Sequence, residues 1–204
     1  MNAPLSERRQ AQLSALIDAA ERRIAEGGAA SLRARDLAAD LGIALGGLYN
    51  IVADLDELLL RVSSRTLGRL GEALTAASDA LPLQTKDDAV NRLVAIAHAY
   101  LHFARDNLRL WRTLFEVHLA EGTALPAWAA DDQLRLFRHV AEPLALLVPD
   151  MDESYQVLAA RTLFAAVHGI VTIGLEERLV AVPLTALEAQ IEWLVRATCR
   201  GLRA

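Results

Sequence analysis

Apolar side chains recur every three or four residues along most of the chain, which is the spacing of amphipathic helices. The first such segment ends at Gly27-Gly28 and carries an apolar face of Leu13, Leu16, Ile17, Ala20 and Ile24. Glycines, prolines and capping patterns divide the rest into helical segments, and no segment alternates convincingly in the manner of a strand. We therefore predict an all-α fold of about nine helices, over residues 6–26, 32–41, 45–52, 54–77, 86–105, 107–120, 127–147, 152–178 and 185–202.

Two of these predicted helices begin with a capping-box pattern, in which a polar side chain and a Glu three residues later bond to nearby backbone N–H groups. The patterns are Asp54 to Glu57 and Thr185 to Glu188. A second group of helices begins after Pro82. We predict an N-terminal domain of residues 1–62 and a C-terminal domain of residues 63–204.

Composition agrees with an all-α fold and removes several functional classes. Ala (38) and Leu (37) fill more than a third of the chain. The single Cys199 excludes a disulfide framework and multi-cysteine zinc sites. The longest charge-free stretch, residues 162–175, is short for a membrane span, and the N-terminus has no export signal, so we expect a cytoplasmic protein without membrane contact. Because the net charge is −5, binding to nucleic acid requires a local patch.

Residues 34–53, ARDLAADLGIALGGLYNIVA, satisfy the steric demands of a helix, a tight turn and a second helix. Ala38 is small enough for close helix approach, and Gly42 supplies the positive φ that the turn needs. The inward positions of two steeply crossing helices are Leu37, Leu41, Ile43, Leu48 and Ile51. This pattern predicts a DNA-binding helix-turn-helix, whose second helix enters the major groove.

Residues 28–59 resemble the N-terminal domain of TetR/AcrR-type transcriptional regulators. The matching features are a Gly at the first turn, Arg-Asp-Leu-Ala, Leu-Gly-Ile, Gly-Gly-Leu-Tyr and an acidic-Leu-Leu opening to the next helix. Residues 160–170, ARTLFAAVHGI, also resemble the C-terminal signature of a subgroup named for a Trp-His-Gly-like motif, with Phe164 near the usual Trp. The resemblance fits the whole chain in layout, since such proteins carry about nine helices in roughly 200 residues.

The second helix of the predicted helix-turn-helix has several positions that do not contribute to the core. We expect these positions to face the major groove of DNA. We expect Asn50 to pair with an adenine edge and Leu45 to lie against a thymine methyl group. The resemblance implies that the Tyr49 hydroxyl contacts phosphate, and the arginines before the motif are candidates for phosphate contacts. The predicted DNA-binding residues are Arg33, Arg35, Ala44, Leu45, Gly46, Gly47, Tyr49 and Asn50, with Arg8 and Arg9 as further phosphate candidates.

The N-terminal region departs from the family pattern in charge. Residues 1–62 contain seven Arg and nine acidic residues, a net charge of −2. The family often has a polar residue at Ala44, Thr at Gly47 and a phosphate-contacting Lys at Leu55. These departures predict weaker and less salt-dependent DNA binding. They leave open an alternative, in which a degenerate family member acts through a protein partner instead of DNA.

Aromatic side chains are spread over the C-terminal half, and two interpretations stay open: an ordinary bundle core, or an effector pocket between helices. The resemblance favours a pocket for a small apolar molecule, because this half of such regulators usually binds a small molecule. His168, inside an apolar run, is also consistent with a hydrogen-bonded core residue. The candidate ligand-binding residues are Trp111, Phe115, His118, Trp128, Phe137, Phe164 and His168.

The sequence does not favour a metal site, a cofactor or an enzyme. His98 and His102 have metal-ligand spacing, but no third ligand lies nearby in helical register. Cys199 is expected to be a small buried hydrophobe. Acidic and His residues are dispersed, and the nucleophile-elbow, phosphate-loop and dinucleotide motifs are missing from the sequence.

The last two predicted helices have wide apolar faces, so each needs two packing partners. The resemblance implies that both pair with their copies in a second subunit, which places two recognition helices about 34 Å or somewhat more apart on a near-palindromic operator. The predicted interface residues are Leu163, Val167, Ile170, Leu187, Ile191, Leu194, Val195 and Thr198. We therefore expect a homodimeric repressor that a small-molecule effector releases from double-stranded DNA.

Overall fold

The computed structural model describes residues 3–116, 126–176 and 181–203. Within these ranges the chain forms nine α-helices and two short 3₁₀ turns, without a strand. The helices are α1 (Ala3–Gly27), α2 (Ala34–Asp40), α3 (Leu45–Leu48), α4 (Leu55–Asp79), α5 (Lys86–Asp106), α6 (Leu108–Glu116), α7 (Ala127–Leu147), α8 (Glu153–Leu175) and α9 (Leu187–Arg203). The all-α prediction is confirmed.

Reciprocal caps define the starts of two helices. Before α4, Asp54 Oδ1 accepts from the Glu57 N–H at 2.7 Å, and Glu57 Oε2 accepts from the Ala53 N–H at 2.7 Å. This cap was predicted. Before α5, Thr85 Oγ1 accepts from the Asp88 N–H at 3.1 Å, while Asp88 Oδ2 accepts from the Thr85 N–H at 2.8 Å. The second cap was missed because Asp takes the place of the usual Glu.

The start of α9 differs from the prediction. A 3₁₀ turn, Leu184–Ala186, follows Pro183, and α9 itself begins at Leu187. The sequence pattern assigned the Glu188 carboxylate to a local cap. In the structure, Glu188 Oε1 lies 2.5 Å from His102 Nε2 of α5. A contact between two helices has replaced the local one.

The chain divides into two compact units. The first unit is Met1–Gly68 with Asn107–Ala130, and the second is Arg69–Asp106 with Asp131–Ala204. The first unit includes α6, which packs against α1. A boundary placed after residue 62 does not anticipate this return, because a contact between segments far apart in sequence leaves no local signal. That boundary stays a proposal about the division of function.

A cluster of buried side chains forms the core of the described part of the first unit. Its fully buried members include Leu16, Ile24, Leu37, Leu48 and Leu58. Burial of one such side chain contributes roughly 1.5–3 kcal/mol. Helices as short as α2 and α3 are marginal alone in water, so this core holds them in place.

The second unit contains α5, α8 and α9, which pack against one another. A Cβ added at Gly174 of α8 would lie 2.6 Å from Leu187 Cδ2 of α9, so a larger residue at this position would force the Leu187 side chain to shift. By length and composition, α8 is also long and apolar enough to cross a membrane, which the count of 14 charge-free residues understated. Core helices of soluble proteins share this length and composition.

Candidate nucleic-acid interface

The predicted helix-turn-helix is formed by α2 and α3 within the first unit. Gly42 has φ of +64°, the left-handed conformation predicted for the turn. The Gly42 N–H donates to Ala39 O at 3.0 Å and the Ile43 N–H donates to Ala38 O at 3.0 Å. These two bonds make a Schellman motif, which satisfies carbonyl groups at the end of α2 and sets the direction of the chain into α3.

The second helix of the motif is short, and its last turn is irregular. Beyond Leu48, the Ile51 and Val52 N–H groups both donate to Leu48 O, at 2.9 and 3.2 Å. Leu48, Ile51 and Val52 are buried in the core of the first unit. The backbone therefore keeps turning through the predicted span 45–52, and the buried side chains decide which face of α3 is directed outward.

The predicted DNA-contacting residues all lie at the surface of the first unit. Leu45 is 39% exposed and Tyr49 is 48% exposed, although both are large side chains with apolar surface. Exposed apolar groups next to polar ones are typical of an interaction surface. Gly47 is half-buried, and the exposed members are Arg33, Arg35, Ala44, Leu45, Gly46, Tyr49 and Asn50.

Many of the carboxylates that make this region acidic are paired inside the first unit. Arg23 of α1 bonds both carboxylate oxygens of Asp40, at 2.6 and 2.8 Å, and its Nη1 lies 3.7 Å from Asp36. The hydrogen bond from Arg23 holds the pKa of Asp40 below its ordinary value. Arg65 of α4 similarly pairs with Asp18 and Glu21 of α1.

A further carboxylate, Glu57, pairs with Arg61 at 2.6 Å. Burial raises the pKa of Glu57, but the hydrogen bonds from the Ala53 N–H and Arg61 outweigh it, so that the pKa is lowered overall. In contrast, Arg33 and Arg35 make no ion pair or hydrogen bond with their side chains in the part of the chain that the structure describes. The net charge of −2 therefore understates the positive charge available at the start of α2.

The candidate effector residues fall into separate groups. Trp111, Phe115 and Trp128 belong to the first unit, where Trp111 is 1% exposed and meets Phe115 edge to face at 5.4 Å between ring centroids. The guanidinium of Arg61 lies 5.5 Å from the Trp128 ring centroid. His118 lies outside the described residues.

The other three candidates, Phe137, Phe164 and His168, come together in the second unit. Phe164 stacks on His168 with centroids 5.6 Å apart and meets Phe137 edge to face at 5.4 Å. Tyr100 of α5, which the sequence pattern did not single out, completes this group: its hydroxyl oxygen lies 2.8 Å from His168 Nδ1. We call these four residues the aromatic cluster.

His168 makes two polar contacts inside this cluster. Thr172 Oγ1 lies 3.3 Å from His168 Nε2, so both ring nitrogens have a hydroxyl neighbour. Burial lowers the pKa of His168, which favours the neutral ring. A neutral imidazole accepts at one nitrogen and donates at the other, and two hydroxyl groups can satisfy both.

The residues predicted for the dimer interface differ in their exposure within one subunit. Five of them are buried inside the second unit itself: Leu163, Val167, Leu187, Ile191 and Val195. Ile170, Leu194 and Thr198 are half-buried. The large apolar residues that α8 and α9 leave exposed are different ones, namely Tyr155, Val157, Leu158, Ile173 and Trp193. Because α8 is apolar around most of its circumference, its sequence could not show which stripe faces the unit's own core.

Two histidines of α5 contact the start of α9. His98 Nε2 lies 3.1 Å from Glu188 O, and His102 Nε2 bonds the Glu188 carboxylate. Within the described residues no group of three His, Cys, Asp or Glu side chains is arranged to hold a metal ion. Cys199 is buried, and burial raises the pKa of its thiol. A groove of about 350 Å³ beside Cys199 is lined mainly by charged residues of α5 and α9 and includes none of the predicted effector residues.

The comparisons with known proteins agree with this architecture. Residues 93–198, just over half of the chain, match the family described as Tetracyclin repressor-like, C-terminal domain. No curated protein matches the sequence.

Solved structures share the fold along nearly the whole chain. A protein of unknown function from Rhodococcus sp. RHA1 is similar at 22% identity, with 94% of this chain and 95% of that chain covered and a TM-score of 0.75. The TetR family transcriptional regulator PfmR from Thermus thermophilus has 18% identity, covers 93% of this chain and 99% of its own, and gives a TM-score of 0.61. A TetR transcriptional regulator from Rhodococcus sp. RHA1 has 16% identity, with 95% of this chain and 97% of that chain covered and a TM-score of 0.65.

A helix-turn-helix that packs its inner face in a core and exposes its second helix, in one chain with a second helical unit, is the architecture of a helix-turn-helix regulator. The chain belongs to the TetR family of transcriptional regulators. Members of this family are DNA-binding proteins without enzymatic activity. The resemblance of residues 160–170 to the Trp-His-Gly subgroup stays a prediction.

Proposed function

We propose that this chain is a cytoplasmic, homodimeric repressor that binds a near-palindromic operator and is released by a small apolar molecule. The observation that carries the proposal is the surface of α2 and α3. Among the described residues, Arg33 and Arg35 keep unpaired guanidinium groups there, while Tyr49 and Asn50 present exposed polar atoms at the end of α3. Phosphate contacts from the arginines supply affinity and register, and the α3 side chains reach base edges.

The effector site in this proposal is the aromatic cluster of the second unit. Its rings offer apolar surface, and a polar group of the ligand replaces the hydrogen bond between Tyr100 and His168. α4 contributes residues to both units, so a ligand that prefers one conformation of the second unit can act on the first through this helix. The ligand changes DNA affinity only by the difference in its affinity for the two conformations.

The dimer in this proposal uses the exposed apolar residues of α8 and α9. Trp193 is 61% exposed and Tyr155 is 66% exposed. Large exposed side chains of this kind are typical of a protein interface, and aromatic residues are enriched there. A second copy of the chain covers them and provides the second recognition helix that a near-palindromic operator requires.

The test is selection of bound fragments from the sheared source genome by the purified protein, at low and at moderate salt. We expect enrichment of a near-palindrome that Tyr49→Ala and Arg35→Ala abolish. Arg135→Ala is the matched control, because Arg135 is an exposed arginine of the second unit. No enrichment at either salt concentration would contradict the proposal.

Salt dependence tests the role of the arginines separately. The slope of log affinity against log salt changes by about 0.9 for each phosphate that a protein cation ceases to neutralise. Arg35→Ala in both subunits is therefore expected to reduce the slope by about 1.8, whereas Arg135→Ala leaves it unchanged. An unchanged slope for Arg35→Ala would remove this side chain from the phosphate contacts.

A protein partner on the same surface is the second candidate function. The exposed Leu45 and Tyr49 favour it, because apolar exposed side chains also suit a protein interface. It predicts no retention on DNA even at low salt, together with capture of a protein that Tyr49→Ala releases. Retention on DNA that depends on Arg35 argues against it.

A further inference from the structure

We infer that the base pairs facing α3 are mainly A·T pairs, read through thymine methyl groups and one adenine edge. This inference rests on the proposed function and adds the kind of operator sequence that the chain reads. It is carried by the chemistry of the outward face of α3, which we call the reading face and define as Ala44, Leu45, Gly46, Gly47, Tyr49 and Asn50.

The reading face contains no cation. The commonest contact to guanine is a bidentate hydrogen bond from Arg or Lys to its O6 and N7 atoms. The arginines of the motif lie instead at the start of α2, where Arg33 is the residue before the first turn and Arg35 is the second helical residue. α3 itself therefore lacks the cationic side chain that makes this bidentate contact, and such a contact to guanine has to come from α2.

Leu45 gives the reading face an apolar group at its first helical position. Its side chain is 39% exposed, and it is not a member of the core cluster of the first unit. The 5-methyl group of thymine is the apolar feature on the major-groove edges of the base pairs. Contact with it removes the exposed surface of Leu45 from water, which makes thymine the base that this side chain favours.

Packing within the chain does not require glycine at positions 46 and 47. A Cβ at Gly46 would meet no atom within 4 Å, and a Cβ at Gly47 would make only ordinary contacts with Ile43 at 3.7 Å. Neither residue has a positive φ, so backbone conformation does not require glycine either. Bare backbone at these positions lets α3 approach the floor of the groove, where the methyl groups lie.

Asn50 supplies the adenine contact. It is exposed, and its carboxamide has no hydrogen-bond partner within the described ranges of the chain. A free carboxamide can donate to adenine N7 and accept from the N6 amino group at the same time. Leu45 and Asn50 together therefore select A·T pairs through different atoms.

The test uses the operator recovered by genomic selection. Each thymine is replaced singly by uracil, which removes only the methyl group, and affinities are measured for wild-type protein and Leu45→Ala. For wild type we expect a loss of about fourfold at one or two thymines, the effect of removing one methyl contact. For Leu45→Ala we expect that uracil at those same thymines causes no loss of affinity, because the methyl contact is already missing. The urea unfolding midpoint of Leu45→Ala is expected to match that of wild type.

Asn50→Ala provides the second measurement. It is expected to reduce discrimination at one A·T pair by about 5- to 160-fold while leaving the uracil effects at the Leu45 thymines in place. An operator that is bound tightly but has G·C pairs opposite α3, with no loss on uracil substitution, overturns the inference and leaves the proposed function standing. Failure to retain any DNA overturns the proposed function and the inference with it.

Discussion

Replacing Gly42 by Ala isolates the conformational cost of the turn between α2 and α3. Gly42 has φ of +64°, and a Cβ added there would meet no atom within 4 Å. The substitution therefore creates no clash with neighbouring residues, and its cost comes from the local backbone alone. An L-residue in the left-handed region costs roughly 1–2 kcal/mol. The lower entropy of the unfolded chain offsets about 0.4–1 kcal/mol of that cost.

The net loss expected for Gly42→Ala is about 1 kcal/mol, which corresponds to a fall in Tm of roughly 2–4 °C for a chain of this length. Gly42→Asn is expected to lose less, because Asn enters the left-handed region more readily, and Gly42→Val is expected to lose more, because a β-branched residue enters it least. Gly46→Ala is the control: it lies in open space without a positive φ and is expected to be at least as stable as wild type.

Urea unfolding followed by far-ultraviolet circular dichroism measures the series, with unchanged m values as the condition for comparing midpoints. The loss of unfolding free energy is expected to increase in the order Asn, Ala, Val. If Gly42→Ala unfolds at the wild-type midpoint, or if Val costs no more than Ala, the turn does not hold residue 42 at a positive φ. The Schellman bonds of Gly42 and Ile43 would then have to be absent in solution.

Three further predictions test the core, the aromatic cluster and the dimer. Trp111→Ala is expected to cost about 3–5 kcal/mol of unfolding free energy, since Trp111 is 1% exposed, and an unchanged urea midpoint would show that it is not a core residue. Burial holds the pKa of His168 below its ordinary value, so its contribution is complete above the unfolded pKa of about 6.5 and is lost as pH falls below that value. Chemical denaturation at several pH values should show that His168→Gln loses less unfolding free energy than wild type as pH falls below about 6.5. An equal dependence of unfolding free energy on pH in the two proteins would contradict this. Trp193→Glu is expected to sediment as a folded monomer, and a persistent dimer would place the interface elsewhere.

Local spacing was enough to predict the helix-turn-helix and its outward face. The positive φ at Gly42 and the burial of Leu37 and Leu48 follow from demands that act within about twenty residues. The capping box of Asp54 and Glu57 is local in the same sense. Except for the half-buried Gly47, the residues left over by these demands are exposed in the structure, so the outward face of α3 was predictable without knowledge of its tertiary environment.

Contacts between distant segments were decided only by the tertiary structure. Arg23 pairs with Asp40, and Arg65 pairs with Asp18 and Glu21. These ion pairs neutralise carboxylates that the composition alone counts as net negative charge. Tyr100 joins His168 across 68 positions of the sequence. Helical periodicity shows that a face is apolar, but it does not show which helix covers that face.

The apolar faces of α8 and α9 depend on both kinds of information. The sequence by itself determined that α8 and α9 carry more apolar surface than one partner can cover. Only the tertiary structure decided that Leu163 and Val167 pack inside the second unit, while Tyr155 and Trp193 remain exposed. The physical reason is that a helix apolar around most of its circumference can be buried on either side at similar free energy, so the choice belongs to the shape of its neighbours.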